Sequence, residues 1–267
     1  MFSGAEEHVI YQVANAPLRT YPYPHIYVDS VFPQDFYAVL RRNWPRAEHL
    51  VSLASTNRVT SGAYAERFIM PLKKAELEKL PEAAREFWTE FSEWLLAERF
   101  LDAMVGKFDE HVRERFGKDA ANVGFGCESL VVRDHTNYNL RPHTDSPLRV
   151  LSLVFYCPDD ESMKHLGTSI YTPIDPDFRC PGGPHHPHNL FRKVATMEYR
   201  PNTLFAFMKT DNSFHGVEPI GDAGVLRDLL LYDIQVKKDS VSQQARPSGA
   251  ARGIGLRILR NIFGGRR

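Results

Sequence analysis

Two histidines and one aspartate have the types and spacing of a metal site. His143 and Asp145 enclose a single threonine, and His215 lies on a later segment of the chain. In a β-strand, residues i and i+2 project from the same face, so His143 and Asp145 could bind one ion as a pair. Two imidazoles and one carboxylate suit a divalent iron that keeps positions open for a co-substrate and for oxygen. These three residues are the candidate metal ligands.

A structural interpretation of the same residues is also available. A His-x-Asp triplet often arises by chance, and Asp145 is followed by Ser146 and Pro147, which are typical of a turn. The two histidines could simply be packed or hydrogen-bonded. Arg227 favours a site, because it begins an apolar segment of strand length. Its planar, permanently charged guanidinium is suited to holding a carboxylate through two hydrogen bonds.

Around these residues the sequence resembles the 2-oxoglutarate/Fe(II)-dependent dioxygenases, and within them the prolyl-hydroxylase-like branch. The resemblance covers about residues 125 to 236. Its further pieces are the strand LSLVFY that ends at Tyr156, the segment HLGTSIY from residue 165, and PNTLFAF from residue 201. Thr168 stands where the family has the second glycine of a turn. The order of all the pieces matches that of the family.

The resemblance implies a role for each candidate residue. His143, Asp145 and His215 would hold Fe(II), Arg227 would bind the distal carboxylate of 2-oxoglutarate, and Tyr156 would donate to the same carboxylate. The reaction would use O2 and couple oxidative decarboxylation of 2-oxoglutarate, with release of succinate and CO2, to hydroxylation of an unactivated C–H bond. The substrate would be a small molecule or a residue of a peptide or protein.

The carboxylate at position 145 bears on the type of reaction. In the halogenating relatives a small residue takes its place, so hydroxylation is favoured here, with desaturation and ring closure left open. Two other classes of function also stay open. One is a cupin-like metal-binding protein, for example an isomerase or a sensor, that does not use 2-oxoglutarate; its zinc or nickel sites tend to be richer in histidine. The other is a non-catalytic binding module that kept the fold.

The remaining pattern predicts a mainly β protein with flanking helices. Candidate strands cover residues 128–133, 148–156, 168–171, 191–199, 203–208 and 227–236. Short antiparallel strands of this density indicate two packed sheets, as in a cupin-like jelly roll. The resemblance implies the same double-stranded β-helix. We expect one oxygenase domain over residues 1–239, with an N-terminal strand and helix flank over 1–120 and the β-helix core over 121–239.

Within the flank, residues 25–29 read as a strand, and a short helix is expected to begin near Pro33 and to run through Trp44. From residue 81 to 116 aromatic and apolar residues recur every three or four positions, which predicts helix. The aromatic stripe could be a ligand-stacking surface, but packing against a sheet is favoured. Gly117 would end this helical stretch.

Composition limits the partners. The chain has 267 residues, 43% of them hydrophobic, and its 33 basic and 33 acidic residues cancel, so no nucleic acid or anionic membrane is indicated as a partner. Three cysteines without Cys-x-x-Cys spacing speak against a disulfide framework. An acidic N-terminus and the lack of a long apolar run predict no signal peptide and no membrane span. A cytoplasmic location is expected. Nothing in the sequence fixes the oligomeric state.

Two segments have no assigned role. Histidines at 185, 186 and 188 could bind a second metal, but the surrounding prolines favour an exposed or substrate-facing loop. The tail over residues 240–267 contains arginines and no acidic residue, and isoleucines recur every four positions in it. It could contact a membrane or an acidic partner. A helix docked on its own domain, or a disordered end, is favoured.

Overall fold

A computed structural model describes residues 4–56, 58–59, 64–221 and 224–237 of the chain. Its strands are β1 His25–Asp29, β2 Val51–Ser52, β3 Arg67–Pro71, β4 Phe125–Asp134, β5 Leu140–His143, β6 Arg149–Tyr156, β7 Thr168–Pro173, β8 Phe191–Met197, β9 Thr203–Met208, β10 His215–Val217 and β11 Arg227–Val236. Its helices are α1 Ala5–Asn15, α2 Gln34–Arg42, α3 Lys74–Leu77, α4 Glu82–Leu95, α5 Glu98–Lys107 and α6 Asp109–Phe116.

The strands form two antiparallel sheets. The larger sheet has seven strands in the order β1-β9-β6-β11-β4-β3-β2, and the smaller has four in the order β5-β10-β7-β8. This is the predicted jelly roll with flanking helices, and the prediction of the fold class is confirmed. Three strands that precede residue 121, β1 to β3, pair within the larger sheet. The division of the domain at residue 120 stays a prediction.

Each strand of the larger sheet presents alternate side chains to opposite layers. On β11, Leu229 and Leu231 face the space between the two sheets, whereas Leu230, Tyr232 and Ile234 belong to the core under the helices. Sequence patterning located this strand and β9 with the bounds that the structure has. The continuous apolar runs of these strands follow from burial on both faces.

The aromatic stripe of α4 packs into the core, as expected. Trp88 and Phe91 are buried, and the ring of Phe91 lies edge-on to that of Phe32, with centroids 5.7 Å apart. Phe32 in turn stacks on Phe155 of β6 at 5.2 Å. The stripe therefore attaches the helical layer to the back of the larger sheet, away from the space between the sheets.

The helical region differs from its prediction in two ways. Residues 81–116 form three helices, with breaks at Leu96–Ala97 and at Phe108, and neither break contains glycine or proline. The apolar periodicity continues across the breaks because all three helices bury their apolar residues in the same core. Helix α1 was not predicted, although Glu6 and Glu7 in its first turn complement the helix dipole. Gly117 ends α6 with φ of 57°, as expected.

None of the described helices is long and apolar enough to cross a membrane. The basic tail over residues 240–267 lies outside the described residues.

Candidate metal centre

The smaller sheet brings the three predicted ligands together. Strand β5 ends at His143 and β10 begins at His215, and the two residues are direct partners in the antiparallel pairing of these strands. Asp145 lies two residues beyond the end of β5. One ligand atom from each residue lies within 4.8 Å of the others. The sequence had predicted these three candidate ligands, but it had not predicted β5 or β10 as strands.

Backbone carbonyls fix the orientation of both imidazoles. Nδ1 of His143 lies 3.0 Å from the carbonyl oxygen of Arg141, and Nδ1 of His215 lies 3.0 Å from that of Ser213. Because a carbonyl oxygen only accepts, each Nδ1 carries a proton, and Nε2 is the nitrogen of each ring that is placed to bind a metal. Hydrogen bonds of this kind set the tautomer of metal-binding histidines.

The carboxylate of Asp145 is held in the same way. Its Oδ2 accepts a hydrogen bond of 2.6 Å from Ser152 Oγ on β6, and its Oδ1 lies 3.8 Å from Nε2 of His215. Burial acts to raise the pKa of Asp145, but the neighbouring His215 and Arg149, with the Ser152 hydroxyl, lower it overall. Asp145 is therefore ionised at neutral pH, as a ligand must be.

Burial and the adjacent His215, against the opposing effect of Asp145, together lower the pKa of His143 to about 3. A neutral imidazole is the form that ligates a metal. Two nitrogen atoms and one carboxylate oxygen on one side of a small space fit a divalent ion with open positions. The residues present therefore fit Fe(II).

Gly216 is required for this arrangement. A Cβ at Gly216 would overlap the carbonyl oxygen of Leu140, so only glycine lets β10 approach β5 at the point where the two histidines meet. The sequence His215-Gly216 thus combines a ligand with the residue that permits close strand pairing.

A cavity of about 250 Å³ extends from the ligands between the two sheets. At one end it is lined by Arg67, Thr168 and Arg227, and at the other by Arg58, Glu128, Arg149 and Asp233. The wall between these ends is apolar, and it includes Leu130, Val154, Leu229 and Leu231.

The guanidinium of Arg227 is almost fully buried at the first end. Its Nε donates to the carbonyl of Leu166 at 2.7 Å, its Nη1 to Asp134 at 2.8 Å, and its Nη2 lies 3.4 Å from the Thr168 hydroxyl. Asp134 also accepts two hydrogen bonds from Arg67, at 2.6 and 2.9 Å. We call these three residues, Arg67, Asp134 and Arg227, the inner cluster. Two guanidiniums share one carboxylate in it, which leaves one positive charge in excess.

Solved structures are similar to this chain. A prolyl 4-hydroxylase from Phytophthora capsici superposes with a TM-score of 0.50 at 13% identity, and the match covers 99% of this chain and 75% of that one. The chain has the prolyl 4-hydroxylase fold. A Pseudomonas putida prolyl-4-hydroxylase gives a TM-score of 0.45 at 14% identity over 87% of this chain and 99% of that one. A 2OG-Fe(II) oxygenase family oxidoreductase from Burkholderia pseudomallei gives 0.41 at 11% identity, over 88% and 91%.

No family model and no curated protein matches the sequence. At these identities the similarity to solved structures shows the fold alone. The prediction of a prolyl-hydroxylase-like architecture is thereby confirmed.

Tyr156 lies behind Thr168 in this prolyl 4-hydroxylase fold. Its hydroxyl donates to Thr168 Oγ1 at 2.8 Å and accepts from the Thr168 backbone N–H at 3.1 Å. Burial raises the pKa of Tyr156, so the phenol is protonated. Thr168 lines the cavity and Tyr156 holds it in place. Direct contact of Tyr156 with 2-oxoglutarate stays a prediction.

One residue of the histidine-rich loop contacts the candidate ligand His143. The ring of His185 lies 4.6 Å from that of His143, and its Nε2 is 3.3 Å from the hydroxyl of Tyr64. The loop is tied to the end of β5, because the backbone N–H of His186 donates to the carbonyl of Pro142 at 2.8 Å. Proline and histidine content had suggested a substrate-facing loop, but no sequence signal tied it to His143.

Proposed function

We propose that this protein is an Fe(II)- and 2-oxoglutarate-dependent oxygenase that hydroxylates an unactivated C–H bond of a small molecule or of a peptide residue. The observation that carries this is the presence, in one cavity, of the His143, Asp145 and His215 donor set and the positively charged inner cluster. The fold and the sequence resemblance agree with it.

The charges of the cavity match those of the co-substrate. A divalent ion beside the Asp145 carboxylate would have one positive charge in excess, and the inner cluster has another. 2-Oxoglutarate carries two carboxylates at neutral pH. One would lie at the metal and the distal one at the inner cluster, so that each meets one excess charge in a site of low dielectric constant.

Each side chain has a definite part in this proposal. His143, Asp145 and His215 would hold the iron, which when bound supplies the oxygen chemistry together with 2-oxoglutarate. Arg227 and the Thr168 hydroxyl would bind the distal carboxylate, with Tyr156 contributing at the same end. The apolar wall of Leu229, Leu231 and Val154 would exclude water from the cavity. In the overall reaction, one atom of O2 would enter the hydroxylated product and the other would enter succinate, with CO2 released from 2-oxoglutarate.

The test is spectroscopic and needs no substrate. Anaerobic addition of Fe(II) and 2-oxoglutarate to the protein should give a weak visible charge-transfer band, and His215→Ala should abolish it together with tight iron binding. Arg113→Gln, on the exposed surface of α6, should leave the band unchanged. If saturating 2-oxoglutarate produces no band although iron binds, the protein is a metal-binding cupin-like protein of another kind.

A further inference from the structure

The end of the cavity opposite the inner cluster carries a second set of charges. Arg227 pairs across the sheet with Asp134, and Asp233, six residues further along β11, pairs with Glu128 of β4. Six residues of strand span about 20 Å. Asp233 also pairs with Ser152 on β6, and Ser152 binds the metal ligand Asp145. The second set is therefore on the metal side of the cavity.

This set, which we call the outer-end cluster, consists of Arg58, Glu128, Arg149 and Asp233. Nη2 of Arg58 donates to both oxygens of Glu128, at 2.6 and 2.7 Å, and Arg149 forms an ion pair with Asp233. Unlike the inner cluster, it is electrically neutral, with two positive and two negative groups side by side.

Arg149 is incompletely satisfied. Its side chain is 18% exposed and that of its partner Asp233 is 11% exposed. Among the residues that the structure describes, Nε of Arg149 has no hydrogen-bond partner. A buried N–H without an acceptor is costly, and an ionised acceptor forms a stronger bond with a guanidinium than a neutral one. The site thus lacks an acceptor that a carboxylate would provide.

We propose that the outer-end cluster binds the substrate, and that the substrate is a small zwitterion of the amino-acid type. Its carboxylate would bind Arg149, and its ammonium would bind Asp233 and Glu128. The carboxylate and the ammonium of an α-amino acid are attached to one carbon. They are therefore close enough together to bind Arg149 and Asp233, which are themselves in contact. This assignment of the substrate rests on the proposed oxygenase function.

The charge of the whole cavity supports a substrate without net charge. Four arginines and four carboxylates line the cavity or pair with a residue that does: Arg58, Arg67, Arg149 and Arg227, with Glu128, Asp134, Asp145 and Asp233. A divalent ion and the dianion of 2-oxoglutarate cancel one another. A substrate with a net charge would leave that charge uncompensated in a buried site, which is unfavourable. The cavity volume of about 250 Å³ favours a small molecule.

The test uses the protein with Fe(II) and 2-oxoglutarate under anaerobic conditions, where turnover cannot occur. Calorimetric titration with the common L-amino acids, and with their N-acetyl and C-terminal amide derivatives, measures binding. We expect at least one amino acid to bind, and each derivative of it to bind at least about tenfold more weakly. Arg149→Gln should weaken binding of the parent amino acid by a similar factor.

The effect of each variant should disappear when the group of the amino acid that its side chain binds is blocked. The amide derivative lacks the carboxylate, so Arg149→Gln should not weaken its binding further, and the N-acetyl derivative should be insensitive to Asp233→Asn. The double variant Arg149→Gln/Asp233→Asn leaves no unpaired charge in the wall and shows whether loss of binding reflects misfolding. Arg113→Gln serves as the surface control.

Two results would overturn the assignment while leaving the oxygenase function intact. In one, the visible band forms but no amino acid binds. In the other, the capped derivatives bind as well as the parent, which would point to a peptide or another neutral substrate. Absence of the band would instead contradict the oxygenase function itself.

Discussion

Strands β4 and β11 place one arginine–aspartate pair on each face of the larger sheet, and the two pairs lie in different surroundings. Strand β4 contains Arg133-Asp134 and β11 contains Arg227-Asp228, and the antiparallel register places Arg227 opposite Asp134 and Asp228 opposite Arg133. Because successive side chains point to opposite faces, one of these pairs projects into the cavity and the other projects away from it.

Each pair contacts one further arginine, but the two clusters that result differ in net charge. On the outer face, Asp228 binds Arg133 at 2.7 Å and Arg41 of α2 at 3.2 Å, and Arg41 binds a second carboxylate, Asp159, at 2.8 Å. We call Arg41, Arg133, Asp159 and Asp228 the helix-side cluster, and its two positive and two negative charges cancel. On the inner face, Arg67 and Arg227 share Asp134, and no second carboxylate pairs with them among the residues that the structure describes. The excess charge is on the face that borders the cavity, as the proposed binding of a carboxylate there requires.

The largest difference between the faces should appear on removal of the central carboxylate. Asp134→Asn leaves two buried guanidiniums without a counter-charge, and we expect the free energy of unfolding to fall by about 3–5 kcal/mol. Asp228→Asn leaves Arg41 with Asp159, so a loss of about 1–3 kcal/mol is expected. Urea unfolding of both variants measures the two values. Equal losses would show that Asp159, the second carboxylate of the helix-side cluster, does not compensate for the loss of Asp228.

Removal of one arginine from each face tests the binding role. Arg227→Ala keeps the Arg67–Asp134 ion pair, so the fold should survive, but 2-oxoglutarate should bind about 10–100-fold more weakly because charge-assisted hydrogen bonds are lost. Iron binding should change little. Arg133→Ala, the matched variant on the outer face, should leave 2-oxoglutarate affinity unchanged. Calorimetry under anaerobic conditions gives both constants. If Arg227→Ala loses iron and 2-oxoglutarate equally and its circular dichroism spectrum is that of an unfolded chain, the residue is structural.

Tyr156 allows the inner face to be resolved further. If its hydroxyl acts only by holding Thr168, then Tyr156→Phe and Thr168→Val should each weaken 2-oxoglutarate binding by a few-fold, on the order of one neutral hydrogen bond. The double variant should then be no weaker than Thr168→Val alone. Additive losses would indicate that Tyr156 contacts 2-oxoglutarate directly, as the sequence resemblance implies. Dissociation constants of the three variants decide between the two.

The sequence predicted strands and candidate site residues that depend on local patterns, and it missed contacts that depend on pairing between distant segments. Alternation and apolar runs predicted β1, β9 and β11, and the His-x-Asp spacing predicted the candidate ligands that the structure brings together. The partner Arg67 was missed, because its position opposite Asp134 depends on the register of β3 and β4, which are separated by three helices and a further short one. The approach of His185 to His143 was missed for the same reason.

The smallest effect is expected at the edge of the outer face. Asp159 is 84% exposed, so its ion pair with Arg41 is weakened by water and salt, and Asp159→Asn should change the free energy of unfolding by less than about 1 kcal/mol. In the background of Asp228→Asn, however, Asp159 is the remaining carboxylate for Arg41 among the described residues. Its removal there should cost more than in the wild-type protein, and a double-mutant cycle in urea measures the difference. An additive cycle would mean that Asp159 and Asp228 do not compensate for one another, and that charge balance on the outer face does not stabilise the protein.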